Sequence, residues 1–427
     1  MQWQRKQVPH RAGAAGVVIG LIVGLPAVFA PVYAASPWVV HPTVGLQGSA
    51  HDNVQLRERD GDTSYQGTAE AGVIVQQISQ TRMLRGHGVA GYTGYRDDPD
   101  APDDGDFQSF LGEAEYLTQR SLWGLTGTYL RDNTRVDAAA PDAIVDPGAD
   151  IDTVTVSETV RRYRATIRPS VEHFLSPRLS LGAGYVGTYR SHNGQGRDRT
   201  EFFNHQTELR ARYRWSEITT VGLGVQGGFF RPREEGRAMD DDDRSVNTYA
   251  LVADIEHALS ERSTLRVSGG VRQSDPVGAR GDRDSETGFT GRVEATTRGW
   301  NWNGMAFVER RLLPDHQGVL RETDQLIVRA ARDITPRLEA AFSGRAFRTR
   351  SIEEQFGEDG NEEYASLLPS LAYRLTPEWS VTAEYRYQFI DRAGEDGDAQ
   401  GNSVYLRFDY APRQEAQWRP TMDGEGR

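Results

Sequence analysis

Stretches of roughly ten to fifteen residues in which apolar and polar side chains alternate recur along the whole chain, joined by a tight turn and then by a longer acidic loop. Alternation with a period of two places the two residue types on opposite faces of a strand, so the chain is constrained to an antiparallel β architecture. The stretch Leu179, Leu181, Ala183, Tyr185, Gly187, Tyr189 is apolar or aromatic, while the interleaved Ser180, Gly182, Gly184, Thr188, Arg190 are small or polar. The same division separates Phe203, His205, Thr207, Leu209, Ala211, Tyr213 from Asn204, Gln206, Glu208, Arg210, Arg212, Arg214. It returns in Val381, Ala383, Tyr385, Tyr387, Phe389 against Thr382, Glu384, Arg386, Gln388.

A soluble β-sandwich or propeller would also alternate, and strand length separates the cases. Globular strands average about five or six residues, whereas a tilted strand needs about ten to cross a bilayer. Aromatic placement points the same way: Trp38, Trp123, Trp215, Trp300, Trp302 and Trp379 lie near the turns, and Tyr95, Tyr129, Tyr189 and Phe389 near the loops. Two such girdles belong at the two interfaces of a membrane.

The turns fall at Ser79-Gln80-Thr81, Thr118-Gln119-Arg120, Ser176-Pro177-Arg178, Ser216-Glu217, Ser260-Glu261-Arg262, Arg298-Gly299, Thr335-Pro336-Arg337 and Thr376-Pro377-Glu378. Proline presets the backbone in three of them. Eight short hairpins, an opening strand at Trp38 to Ala50 and a closing one at Asn402 to Tyr410 predict an all-β, transmembrane, up-and-down antiparallel barrel of about eighteen strands, with sixteen as the alternative count. Short turns then face the periplasm and the longer acidic loops face outward. The weakest pair is Asn301 to Leu313 with Leu320 to Ile334, where Glu309-Arg310-Arg311 and Arg329-Ala330-Ala331-Arg332 interrupt the alternation and are expected to bulge.

Residues 1–34 read as a signal peptide: Arg5, Lys6 and Arg11 precede an apolar run from Ala12 to Ala30, and Val32-Tyr33-Ala34 forms a small-residue processing site. An uncleaved anchor is the competing reading, which Pro26 and the processing site disfavour. The barrel is expected over 35–411 and a polar tail over 412–427. There is no cysteine, which excludes a lipid-modified N-terminal cysteine, disulfides and thiolate chemistry. The chain carries a net charge of −12, and removing three cations with no acid leaves about −15, so nucleic acid is not an expected partner.

On the expected lumen face, Arg162, Arg164 and Arg168 form one ladder and Arg210, Arg212 and Arg214 another, with Glu208, Glu384, Arg386 and Arg407 adding charges elsewhere. Arg266, Arg272, Arg292 and Arg345 interleave with Asp254, Glu256 and Glu294. Planar guanidinium groups would favour anionic solutes or sugar acids; the competing reading is that luminal charges pair with one another and hydrate the pore. At eighteen strands the lumen is too wide for lining side chains to fill. The longest loop, Thr134 to Val156, with Asp137, Asp142, Asp146, Asp150 and Asp152, is the candidate constriction, or else a solvated surface loop. The Asp97 to Asp106 and Asp240 to Asp243 runs lack calcium-motif spacing, so no metal site is expected. No histidine sits beside a serine in a nucleophile setting, and no phosphate loop, metal cluster or dinucleotide fingerprint occurs, so neither catalysis nor a cofactor is expected.

The start of the mature chain, Val40-His41-Pro42-Thr43-Val44-Gly45-Leu46 followed by Ser49-Ala50-His51-Asp52-Asn53-Val54-Gln55-Leu56, resembles the second family grouped as β-barrel porins, in which a proline-led first strand ends in Asp-Asn-aliphatic-x-Leu. The Ser-Pro-Arg, Thr-Pro-Arg and Thr-Pro-Glu hairpins are also similar to that group. The resemblance implies an outer-membrane channel of a Gram-negative cell associated with exopolysaccharide or capsule export. It further implies outer-membrane lipid, lipopolysaccharide, the barrel-assembly machinery and periplasmic export components as partners. A general diffusion porin and a non-transporting surface barrel with a plugged lumen are the alternatives. One departure is that Phe408-Asp409-Tyr410 is followed by the polar tail rather than ending the chain.

Overall fold

In a computed structural model of the chain, residues 38–53, 56, 63–96, 105–134, 160–194, 200–234, 245–277, 285–314, 320–351, 361–392 and 398–411 are described. They form eighteen strands: β1 (Val39–His51), β2 (Ser64–Ile78), β3 (Arg82–Arg96), β4 (Gly105–Leu117), β5 (Ser121–Thr134), β6 (Val160–Phe174), β7 (Leu179–Gly194), β8 (Thr200–Arg214), β9 (Thr219–Glu234), β10 (Ser245–Ser260), β11 (Ser263–Val277), β12 (Glu286–Arg298), β13 (Trp302–Pro314), β14 (Leu320–Thr335), β15 (Leu338–Ser351), β16 (Glu362–Arg374), β17 (Trp379–Arg392) and β18 (Asp398–Tyr410). Each strand pairs antiparallel with its chain neighbours, and β1 also pairs with β18, which closes the sheet into an eighteen-stranded barrel. The count of sixteen is thereby excluded.

All eight expected turns connect the short hairpins. Their sequence logic is local: a Ser or Thr hydroxyl at the start of the turn accepts a backbone N–H from its far side, as in Ser121 N–H to Thr118 Oγ1 at 2.8 Å, Leu338 N–H to Thr335 Oγ1 at 3.0 Å and Trp379 N–H to Thr376 Oγ1 at 3.1 Å. Register then carries the alternation from strand to strand. Leu46, Leu209, Leu223, Leu251, Val271 and Leu406 all lie exposed on the outer face. A continuous apolar exterior of this kind is stable in a bilayer and costly in water. Trp38, Trp123, Trp215, Trp300 and Trp302 are exposed at the turn end. At the loop end Tyr189 packs on Phe203 on the outer face, 4.9 Å between ring centroids. Tyr95 departs from expectation: it registers with Gln66, whose own parity faces inward, and Tyr92 takes the outward position instead.

The β1–β18 ladder covers Val44 to His51, and side chains extend the seam beyond it. His51 bridges Ser49 and Ser403 at 2.9 and 2.8 Å. The Asp52 carboxylate accepts the Asn402 backbone N–H and side-chain amide at 2.5 and 2.7 Å, and the Asn53 amide donates to the Gln400 carbonyl at 2.9 Å. Leu56 then turns inward with a left-handed φ of 47° and buries against Phe347, Tyr364, Ile390 and Ala399. Non-glycine residues in that region carry backbone strain, so the burial must hold it there. The Asp-Asn-x-x-Leu element thus closes the barrel rather than merely ending a strand.

Glu309-Arg310-Arg311 does not bulge, since β13 and β14 stay in continuous register from Trp302/Arg332 to Pro314/Leu320. The irregularity lies on the other edge of β13, where the β12–β13 ladder stops at Gly291/Arg310. The bulges in this half lie beside turns instead, at Ala258/Ser260 and Asp333/Thr335. Leu56→Ala should destabilise the barrel by about 2–4 kcal/mol, the usual cost of emptying a packed leucine site, as read by urea unfolding in lipid vesicles.

Candidate functional site: the luminal wall

Inward side chains come from alternate positions of every strand, so the site is the wall itself. Arg162, Arg164 and Arg168 share the inward face of β6 with Thr166. Arg162 is buried and makes a fork to Asp132 of β5, Nε to Oδ1 at 3.1 Å and Nη2 to Oδ2 at 2.7 Å. Arg164 registers directly with Arg190 of β7, so two arginines share one inward row of the wall. Arg190 belongs to the small and polar face of its strand, and alternation alone marks it as a member of this cationic sector.

On β8, Arg210 pairs with Glu208 on its own strand and lies 3.6 Å from Asp254 of β10. The last contact crosses the intervening β9 at Gly222, where a Cβ would collide with the Asp254 carboxylate. A second crossing occurs at the seam: Glu70 of β2 lies over Gly45 of β1 and reaches Arg407 of β18 at 2.9 Å, while Arg407 Nε donates to Asp409 at 2.7 Å. Arg212 follows Arg210 inward, whereas Arg214 is exposed at the turn end. Arg386 is buried, 3.5 Å from Glu384, and its guanidinium lies over the Tyr405 ring at 4.8 Å. Arg292 over Phe307 and Arg345 over Phe347, at 4.4 and 5.1 Å, repeat that arrangement. Such stacking holds the cation flat against the wall.

From β10 to β13 the wall carries alternating charge. Arg266 contacts Glu256 at 3.0 Å and Glu294 at 3.6 Å, Arg292 contacts Glu294 at 2.5 Å and Glu309 at 3.7 Å, and Arg311 contacts Glu309 at 3.4 Å. The lumen therefore has two unlike sectors: arginine-rich on β6 to β8, and mixed from β10 onward. Asp137, Asp142, Asp146, Asp150 and Asp152 of the expected constriction loop lie outside the described residues, as do residues 1–37 and 412–427 and the acidic segments 97–104 and 240–243. Asp106, at the end of one acidic run, is tied to Arg131 and Arg161 at 3.2 and 2.9 Å. No group of three or more metal-ligating side chains occurs among the described residues.

The buried Arg162–Asp132 fork gives a direct test of wall electrostatics. Asp132→Ala should cost about 3–5 kcal/mol by removing the carboxylate that forks a buried guanidinium, and adding Arg162→Met should recover much of that loss in the same unfolding measurement.

No family model matches the sequence, and no curated protein matches it. Among solved structures, the outer membrane protein OpdK from Pseudomonas aeruginosa is 10% identical, with 87% of this chain and 99% of that chain covered and a TM-score of 0.44. OccAB4 from Acinetobacter baumannii is 11% identical over 87% of this chain and 97% of that one, with a TM-score of 0.43. The siderophore receptor PirA from Pseudomonas aeruginosa is 8% identical over 88% and 81%, with a TM-score of 0.42. Likeness at this level does not distinguish one cargo from another.

Proposed function

We propose that the protein is an outer-membrane channel giving a hydrophilic solute passage across the bilayer. The observation that carries this reading is the closed eighteen-stranded wall with apolar residues outward and a dense lining of arginine and carboxylate groups inward. Water and ions solvate such a lining, and side chains alone do not fill a barrel of this strand number. The proposal assigns the lumen no catalytic role; the hydroxyl partners of the inward His51 are Ser49 and Ser403 of the seam.

Within that function, exopolysaccharide is the cargo we favour, on the resemblance of the Val40 to Leu56 segment and the Thr-Pro hairpins. The proposal takes residues 1–34 as the export address and the barrel-assembly machinery, lipopolysaccharide and periplasmic export components as partners. The arginine sector of β6 to β8 suits the carboxylates of sugar acids, since each guanidinium presents a planar fork. A second reading, a barrel whose lumen stays shut and whose loops act at the surface, is favoured by the inward burial of Leu56 at the loop end.

Recording in planar bilayers separates the two: the channel reading expects discrete conductance steps from folded protein, and the surface-barrel reading expects none in any variant. Arg210→Glu with Arg212→Glu should move ion selectivity towards cations; unchanged selectivity in a conducting variant would take both residues out of the permeation path. Alginate-like acidic oligosaccharides should block the current from one side if sugar acids are cargo, and neutral dextrans of equal size should block less.

A further inference from the structure

The β13–β14 hairpin parts from the strand before it near its loop end. Its two strands stay paired with each other to Pro314 and Leu320, yet β13 leaves β12 after Arg310, while β12 itself continues to Glu286. Thr290 on β12 marks the parting, its hydroxyl donating to the Arg310 carbonyl at 3.1 Å. Beyond that point the hairpin tip does not follow the wall. Leu320, with Leu312 against it, packs into one apolar cluster with Phe202 of β8, Phe230 of β9 and Val246 of β10. Six strand positions separate β8 from β14, so this contact is made across the lumen and not along the sheet.

Two electrostatic features accompany the crossing. Glu322 on the tip meets Arg272 of β11 at 3.4 Å, and Arg272 reaches it over Gly288 of β12, where a Cβ would stand 2.6 Å from the guanidinium. Arg272, whose side chain is only 6% exposed, makes this contact through Nη2, while its Nε and Nη1 make no hydrogen bond and Glu286 of β12 also lies within electrostatic reach. On the far side, Arg311 of the tip lies within electrostatic reach of Arg168 of β6. Arg311 is at the same time paired with Glu309 of its own strand at 3.4 Å.

We propose that the last described residues of the β13–β14 hairpin, 311–314 and 320–322, form the constriction of the channel, anchored by the Arg272–Glu322 pair on one side and by Leu320 in the Phe202–Phe230–Val246 pocket on the other. This inference rests on the channel reading above and assigns its size limit to one element. Small solutes pass beside the tip; a polymer passes only when the tip is displaced. Releasing either anchor widens the passage, because the β12 edge no longer holds the strand by backbone bonds.

The test uses the full-length protein in lipid bilayers, with folding of each variant checked by circular dichroism and heat-modifiable mobility. Arg272→Gln and, separately, Leu320→Ser should each raise single-channel conductance several-fold over wild type and admit larger neutral polymers. Because the chain has no cysteine, the Phe202→Cys, Leu320→Cys pair can be bridged by a short bifunctional maleimide. Bridging should succeed and return conductance to the wild-type level or below. Failure of the pair to bridge in folded protein overturns the crossing, and conductance unchanged in both single variants overturns the constriction while leaving the channel intact. If wild type is silent and the released variants conduct, the tip is the closure; if every variant is silent, the channel reading and this one fall together.

Discussion

Backbone hydrogen bonding in a solvent that offers none is the constraint on which the rest of this structure depends. A strand edge left unpaired in hydrocarbon costs several kcal/mol per group, so an apolar exterior is tolerable only when the sheet closes. The weight of closure falls on β1 and β18, whose ladder spans Val44 to His51 and is then continued by side chains from His51, Asp52 and Asn53. Leu56 pins this extension from within at the expense of a left-handed backbone. The same constraint explains why the parted edge of β13 matters: the segment beyond Arg310 has given up one ladder and is held by an ion pair and an apolar contact instead.

Inside the barrel the governing effect is charge, and its arrangement follows from small residues as much as from large ones. Glycines at 45, 222 and 288 let a carboxylate or guanidinium cross a strand and pair with a side chain two or more strands away. Pairing keeps the desolvated groups compensated, as burial of charge requires. Stacking of Arg292, Arg345 and Arg386 on aromatic rings lays further cations along the wall without extending them into the passage.

Much of the architecture was legible from alternation and turn chemistry because both are local. Ser or Thr at a turn start accepts a hydrogen bond two or three residues on, and seven of the eight turns carry that pattern, Arg298-Gly299 being the exception. Which face looks inward also follows from parity, though Tyr95 shows its limit at a strand end, where the register with Gln66 and not the aromatic character decides the side. The charges at Glu309 to Arg311 signalled a real disturbance, but its nature was hidden, since the end of the β12 ladder goes together with a contact between Leu320 and Phe202, which are remote in the chain. The inward role of Leu56 and the glycine crossings were equally invisible, each being set by partners remote in the chain.

The division of each strand into a lipid face and a lumen face is the claim on which all else stands, and the absence of cysteine makes it directly measurable. Single cysteines placed in turn from Phe203 to Tyr213 on β8, each carrying a small fluorophore in reconstituted vesicles, should be quenched alternately. Odd positions should respond to a quencher dissolved in the lipid tails and even positions to one dissolved in water. Uniform quenching by the aqueous agent along the strand would contradict a membrane barrel, and alternation in the opposite phase would contradict the assignment of the charged face to the lumen.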